Sequence, residues 1–257
     1  MDMGLAGKAI IITGAASGIG RAVAQAAVAE GATCLLLSDR DAEGLDRTCA
    51  MLGASAVEPV VADLADDTAA THIAAAAIAR FGRIDALVNA AGITTRASFQ
   101  TGTPAIWDQL FAINARAGFF LMQATIADLR ARSAGGAIVN ILSMNAHCGI
   151  PELAIYAATK GAMATLTRNA AHAHMADRIR VNGINLGWVA TEAEQHMQAD
   201  LLGRGPDWRA HAAASLPLGR LVEADECARL AVFLLGNASI PMSGAILDLE
   251  QKVAGAI

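Results

Sequence analysis

A tyrosine and a lysine four residues apart, Tyr156 and Lys160, lie in a segment with a helical pattern. Residues at i and i+4 share one face of a helix, so the ammonium group would lie beside the phenol. A cation stabilises the phenolate and lowers the pKa of a tyrosine from its usual value of about 10. Tyr156 is the only tyrosine in the chain, so no other phenol could serve as a general acid or base. Such pairs also occur as plain surface contacts, and the spacing alone leaves both interpretations open.

Two further polar residues could complete a reaction centre. Ser143 lies thirteen residues before Tyr156, at the end of a predicted strand, where its hydroxyl could donate to a substrate oxygen. Asn114 falls inside a long helical pattern, in which asparagine is a poor helix former. It either faces solvent or has a function in the interior.

A glycine-rich turn joins the first predicted strand to the first predicted helix. Gly14, Gly18 and Gly20 allow the backbone to approach a ligand closely, and the helix N-terminus favours a pyrophosphate. Asp39 follows Gly20 by nineteen residues, where a carboxylate accepts from ribose hydroxyls and repels a 2′-phosphate. The pattern therefore predicts NAD in preference to NADP, although the adjacent Arg40 would weaken that preference.

The elements that would position these residues alternate along the whole chain. Short apolar runs predict strands at Ala9–Thr13, Thr33–Ser38, Val57–Val61, Ala86–Asn89, Ala137–Leu142, Ile179–Leu186 and Ala245–Leu249. Amphipathic stretches predict helices at Gly18–Glu30, Ala42–Leu52, Asp67–Phe81, Pro104–Arg132, Leu153–Met175 and Glu223–Leu235. This alternation predicts an α/β fold: a doubly wound, parallel, seven-stranded sheet with helices on both faces. All 257 residues would form a single domain, with residues 190–216 as a substrate lid or a solvated connection.

Composition excludes several classes of partner. The net charge is -5 and no Lys/Arg run is present, which argues against nucleic acid. No signal-peptide pattern or apolar stretch of membrane length is apparent, so we expect a cytoplasmic protein with reduced cysteines and no membrane contact. The histidines and cysteines form no metal-binding pattern.

The glycine spacing TGxxxGxG, the segment Asn89-Ala90-Ala91-Gly92 and the YxxxK pair occur in an order that resembles the short-chain dehydrogenase/reductase family, single-domain type. The resemblance spans nearly the whole chain and implies a Rossmann fold, a nicotinamide cofactor and a homotetramer. The cofactor-binding residues that it implies are Gly14, Ser17, Gly18, Ile19, Gly20, Asp39, Asp63, Leu64, Asn89, Ala90, Gly92, Tyr156, Lys160, Gly187, Val189 and Thr191.

The resemblance also implies a mechanism for a small-molecule alcohol or ketone. Ser143 would orient the substrate oxygen and Tyr156 would exchange its proton, while hydride moves between carbon and nicotinamide. Lys160 would bind the nicotinamide ribose and lower the pKa of Tyr156, and Asn114 would hold a proton-relay water. Two departures are evident: Leu186 stands where the family has proline, and Glu250-Gln251 where it has Asp-Gly.

The substrate is the least determined feature. Asn145, His147 and Glu152, between Ser143 and Tyr156, together with Trp188, would form a polar wall suited to a polyol or sugar, although His147 and Glu152 could equally face solvent. An NADPH-dependent 3-oxoacyl reductase is an alternative that Asp39 and the lack of a basic patch disfavour. A redox-sensing regulator on the same fold is the non-enzyme alternative, and it predicts loss of the tyrosine or the lysine.

Overall fold

The computed structural model describes residues 3–53 and 56–254. Its strands are β1 Ala9–Thr13, β2 Cys34–Asp39, β3 Ala56–Val61, β4 Ala86–Asn89, β5 Gly136–Ile141, β6 Ile179–Leu186, β7 Val189–Ala190, β8 Val222–Glu223 and β9 Ile246–Leu249. Its α-helices are α1 Gly18–Ala29, α2 Ala42–Leu52, α3 Ala69–Phe81, α4 Pro104–Phe111, α5 Ala117–Ala131, α6 Ala154–His174, α7 Glu192–Gln195, α8 Trp208–Ala214 and α9 Ala224–Leu235.

Seven of these strands form one parallel sheet in the order β3-β2-β1-β4-β5-β6-β9, and β7 pairs with β8 separately. The predicted doubly wound α/β fold is therefore confirmed. The strand order reverses between β1 and β4, and a crevice opens outside the carboxyl ends of strands at such a point. The residues that follow β1, β2, β4, β5 and β6 are thereby brought to one edge of the sheet.

The sheet is buried on both faces, and β1 shows how. Successive side chains of a strand point to opposite faces. Ile10 and Ile12 pack into the apolar layer that contains α1 and α9, whereas Ile11 packs into the layer that contains α3, α5 and α6. Each of the three is at most 1% exposed, so the strand is apolar throughout because neither face meets water.

A buried arginine at the start of β6 joins the sheet to the C-terminus of α9. The Arg180 guanidinium on β6 donates to the carbonyls of Leu234 at 2.9 Å and Gly236 at 3.0 Å, and to Ser239 Oγ at 2.7 Å. These carbonyls are at the C-terminus of α9, where they have no partner within the helix. Burial lowers the pKa of Arg180, and the hydrogen bonds offset the cost of removing its charge from water.

The predicted helix Pro104–Arg132 is interrupted. Residues Ala112–Arg116 form a π-helical segment between α4 and α5, so the helix contains one wide turn that periodicity did not predict. The combined helix Pro104–Ala131 is long and apolar enough to cross a membrane by length and composition alone. However, 56% of its most apolar stretch is buried within the domain, as in the core helix of a soluble protein.

Candidate active site

A cavity of about 790 Å3 opens at the carboxyl edge of the sheet. It is lined by residues from the loops after β1, β2, β3, β4, β5 and β6 and from the segment 190–216. Of the predicted cofactor-binding residues, every one except Asn89 lines it. Asn89 lies behind the cavity, where its Nδ2 donates to Asn140 Oδ1 at 2.8 Å and joins β4 to β5.

The glycine-rich turn is folded tightly against the loop after β4. Thr13 Oγ1 accepts hydrogen bonds from the backbone N–H groups of Ala90 and Ala91, both at 3.2 Å. Gly14 has φ +69°, and a Cβ there would lie 2.8 Å from the Ala91 nitrogen, so only glycine fits. Ser17 precedes α1 without capping it through its side chain, and the first N–H groups of that helix remain available to an anion. This cradle fits a dinucleotide pyrophosphate.

Asp39 ends β2 at the same cavity. Its Oδ2 accepts from the Ala16 backbone N–H at 3.1 Å, and its Oδ1 accepts from the Asp41 N–H at 3.1 Å. The carboxylate therefore supports the glycine-rich turn as well as facing the space where a ribose would bind. Arg40 lines the cavity beside it.

Asn114 is held inside the π-helical segment and is 5% exposed, so it does not face solvent. Its Nδ2 donates to the Ile93 carbonyl at 2.9 Å and to Thr159 Oγ1 at 3.2 Å, and its Oδ1 accepts from the Ile93 N–H at 2.9 Å. A Cβ on Gly92 would lie 3.4 Å from Asn114 Oδ1 and 3.5 Å from Lys160 Nζ. Asn114 and Lys160 thus flank the same glycine, with Lys160 at the cavity and Asn114 behind its wall.

Tyr156 and Lys160 lie on one face of α6, and both are buried. Lys160 Nζ lies 5.8 Å from the Tyr156 ring centroid and donates to the Ile141 carbonyl at 2.9 Å. Burial raises the pKa of Tyr156 to about 12, against an opposing hydrogen bond with Ser143 and a small further increase from the Glu194 charge. Burial also lowers the pKa of Lys160 to about 8.

The spacing predicted a lowered pKa for Tyr156, whereas burial raises that pKa in this arrangement. Desolvation disfavours the charged form of both groups, and for Tyr156 it outweighs the opposing hydrogen bond with Ser143.

Ser143 follows β5 and faces the cavity. Its Oγ accepts from the backbone N–H of Asn145 at 3.2 Å and from Asn145 Nδ2 at 3.1 Å. Because both bonds use Ser143 as acceptor, its hydroxyl hydrogen remains available to donate towards Tyr156 or a substrate oxygen. Asn145 also lines the cavity, so this predicted substrate residue lies where it was expected.

His147 and Glu152 do not line the cavity, which corrects their expected place in a substrate wall. His147 Nε2 lies 3.0 Å from Asp248 Oδ2 and 3.2 Å from Asn185 Nδ2, so the ring is held against β6 and β9. Glu152 is exposed, and its backbone carbonyl accepts from the Ala97 N–H at 2.8 Å. The chain turns after Asn145, and it is Ile150 and Leu153, not His147 and Glu152, that return to line the cavity.

The two departures from the family pattern meet at one point of the cavity. Leu186, 6% exposed, ends β6 in register with Leu249 and lines the cavity. The Gly187 N–H donates to the Leu249 carbonyl at 3.0 Å. A Cβ on Gly187 would collide with the Glu250 carboxylate, which also lines the cavity.

Residues 190–216 supply side chains that the sequence pattern did not single out. Glu194 and Gln198 line the cavity from α7 and the π-helical segment His196–Leu201. Trp188 Nε1 and Gln198 Nε2 each donate to Glu194 Oε1 at 2.6 Å. The spacing of an acidic residue and an amide four apart, in a segment expected to cover the crevice, was the signal that could have identified them.

Comparison with known proteins agrees with this geometry. A family model described as enoyl-(acyl carrier protein) reductase matches residues 14–250. Galactitol 2-dehydrogenase (L-tagatose-forming) of Cereibacter sphaeroides is 37% identical over 96% of this chain and 94% of its own. D-threitol dehydrogenase of Mycolicibacterium smegmatis is 36% identical over 97% and 94%.

Among solved structures, L-sorbose reductase of Gluconobacter frateurii, complexed with NADPH and L-sorbose, superposes with a TM-score of 0.93. It is 28% identical, and the match covers 100% of both chains. The glycine-rich cradle, the buried Tyr156 and Lys160 and the similarity to these relatives all indicate one family. The chain belongs to the short-chain dehydrogenase/reductase family of oxidoreductases.

Proposed function

We propose that the protein is an NAD-preferring dehydrogenase that interconverts a secondary alcohol of a small polyol or sugar and the corresponding ketone. The observation that carries the proposal is that Ser143 and Tyr156 face one cavity together with the glycine-rich cradle. The named relatives that act on galactitol, D-threitol and L-sorbose support the substrate class.

The cofactor would lie along the residues after β1, β2, β3 and β4, with its nicotinamide end near Tyr156 and Thr191. When bound, a nicotinamide dinucleotide supplies the hydride acceptor or donor. Asp39 supports NAD, since its carboxylate would accept from ribose hydroxyls and repel a 2′-phosphate. Arg40, beside it, is the residue that would favour NADP, the cofactor form with which the solved L-sorbose reductase is complexed.

The residues of this chain would position the substrate and transfer the proton. Ser143 donates a hydrogen bond to the substrate oxygen and holds the reacting carbon in place. Tyr156, protonated at neutral pH because burial raises its pKa to about 12, donates a proton to the ketone oxygen in reduction. In oxidation its phenolate, formed once the phenol proton has passed to solvent, accepts the proton of the alcohol. Lys160 and Asn114 stabilise this arrangement from behind, beside Gly92.

We also propose a homotetramer in the cytoplasm. Trp107, Phe119 and Phe120 on α4 and α5 are 47%, 38% and 41% exposed, and such aromatic side chains are suited to burial between subunits. Light scattering after gel filtration tests the assembly.

A dehydrogenase screen tests the function. The purified protein is assayed for NADH formation with xylitol, sorbitol and galactitol, and with 2-butanol, in NAD and in NADP. We expect turnover of at least one polyol with higher kcat/KM than 2-butanol, and a preference for NAD. Turnover confined to a 3-oxoacyl thioester with NADPH would reject the proposal in favour of the acyl reductase.

A further inference from the structure

Glu194 is held in one orientation at the substrate side of the cavity. Its backbone N–H donates to Thr191 Oγ1 at 3.1 Å, which fixes the start of α7. Its Oε1 receives two donors, Trp188 Nε1 and Gln198 Nε2, each at 2.6 Å. Because two short hydrogen bonds converge on one oxygen, the carboxylate cannot rotate freely.

The second oxygen of that carboxylate is uncommitted. Among residues 3–53 and 56–254 no hydrogen bond joins a donor to Glu194 Oε2, and no ion pair joins Glu194 to a cation. Arg96 and Arg204 line the same cavity, but neither is paired with it. The charge therefore remains unneutralised within the cavity, where the negative field of Glu194 raises the pKa of Tyr156 in addition to burial.

Gln198 provides a second, independent sign of a missing donor. It is 5% exposed and lines the cavity, and its Oε1 is buried without a hydrogen-bond partner in the described part of the chain. Its Nε2 is already used on Glu194, so the amide orientation is determined by that contact. A buried acceptor without a donor is unfavourable, and a ligand hydroxyl would satisfy it.

We propose that Glu194 and Gln198 form an acceptor pair that selects the substrate through hydroxyl groups on carbons beyond the reacting one. The ligand chemistry that fits two acceptors is a neutral, polyhydroxylated molecule. An apolar alcohol leaves both acceptors unpaired. This inference rests on the proposed function and specifies which residues give its substrate class.

The test compares Glu194→Gln with Asp200→Asn. Glutamine keeps an oxygen for Trp188 and Gln198 but removes the charge, whereas Asp200 lies on the same segment with its side chain 66% exposed and bonded to His196. We expect Glu194→Gln to reduce kcat/KM for the best polyol about 10- to 100-fold, mainly through KM, since a hydrogen bond to a charged group is lost. Turnover of 2-butanol should change by less than about threefold, and Asp200→Asn should leave both substrates unaffected.

Gln198→Met is the second variant. Methionine removes the unpartnered acceptor together with the Nε2 hydrogen bond to Glu194, so the gain and the loss in stability oppose each other and the melting temperature should change little. Polyol kcat/KM should fall, because the acceptor serves the ligand and not the fold. Tyr156 adds a readout independent of turnover: as the only tyrosine, its ultraviolet titration should shift to lower pH in Glu194→Gln.

The outcomes separate the two proposals. If the wild type oxidises no polyol, the proposed function fails. If it oxidises polyols and both variants keep the wild-type ratio of polyol to 2-butanol turnover, the acceptor pair is rejected while the dehydrogenase function stands. An equal loss for polyol and 2-butanol, with an unshifted tyrosine titration, also rejects it, because Glu194 would then act only in packing the segment.

Discussion

Lys160 Nζ lies 5.8 Å from the centroid of the Tyr156 ring and donates a hydrogen bond to the Ile141 carbonyl at 2.9 Å. The ammonium group is thus held by the end of β5, at the strand that also leads to Ser143. Both members of the pair are buried, so each is stabilised in its neutral form. The pair therefore consists of a protonated phenol and a lysine whose pKa is lowered to about 8.

Tyr156→Phe should abolish most turnover while NAD still binds. The ring and its packing remain, but the hydroxyl that exchanges the proton is lost, and general acid–base catalysis contributes about 10²- to 10⁴-fold. Steady-state NADH formation and a fluorescence titration with NAD measure the two effects. Activity within a few-fold of wild type would show that another group exchanges the proton.

Lys160→Met should change how stability depends on pH. The pKa of Lys160 falls from 10.5 to about 8 on folding, so between these values the unfolded chain binds more protons and wild-type stability rises with pH. Below pH 8 the native protein carries the cost of a buried charge that methionine removes. The stability of the variant relative to wild type should therefore decline from pH 8 to pH 10.5, by at most about 3 kcal/mol.

Urea unfolding of both proteins at the two ends of that window measures the difference. Tyr156 acts in the opposite direction in both proteins, since its raised pKa contributes stability below pH 10 that is lost towards pH 12. The contribution of Tyr156 to the pH dependence is therefore nearly the same in the wild type and the variant, and it cancels when their stabilities are compared. A difference that is constant across the window would mean that the lysine titrates near its ordinary value.

Asp39→Asn should reduce the preference for NAD over NADP. The variant keeps an acceptor for the Ala16 N–H but loses the charge that repels a 2′-phosphate. We expect kcat/KM with NAD to fall and that with NADP to rise. Arg40→Ala is the matched comparison and should weaken NADP use alone. If the wild type already prefers NADP, Arg40 and not Asp39 controls the choice.

His147→Ala combined with Glu152→Ala should leave the ratio of polyol to 2-butanol turnover unchanged. Neither residue lines the cavity, and His147 contacts Asp248 and Asn185 instead. The expected loss is in stability, by about 1 kcal/mol or less for contacts this exposed. A selective loss of polyol turnover would place these side chains in the substrate wall after all.

The sequence predicted the residues that follow buried strands better than those on the covering segments. Gly14, Asp39 and Ser143 lie at or just after the ends of apolar strands, and parallel strands bring such positions to one edge. His147 and Glu152 were assigned to the substrate wall because they lie close to Ser143 in the sequence. In a loop, however, the direction in which side chains point can reverse within two residues. Glu194 and Gln198 were not singled out because their segment lacks a regular hydrophobic period.

The ionisation of Tyr156 was also misjudged from spacing. Four residues of separation predict the neighbour but not the amount of water around it. Tyr156 packs in one apolar cluster with Ala97 from the loop after β4, Leu110 from α4 and Ile155 from α6, and that packing is not visible in a local pattern.

The wide turn at Ala112–Arg116 couples the length of a helix to the chemistry of the site. A π-helical turn holds one residue more than an α-helical turn, so deleting a single alanine there would return the helix to regular α geometry. The flanking helices α4 and α5 would keep their faces, because the wide turn is what accommodates the extra residue, and the residues of the turn itself would shift. Asn114 would then leave Ile93 and Thr159, even though its side chain was never altered. In this protein, deleting one residue from the π-helical turn would act as an active-site mutation. The resulting helix would nevertheless be more regular than the native helix.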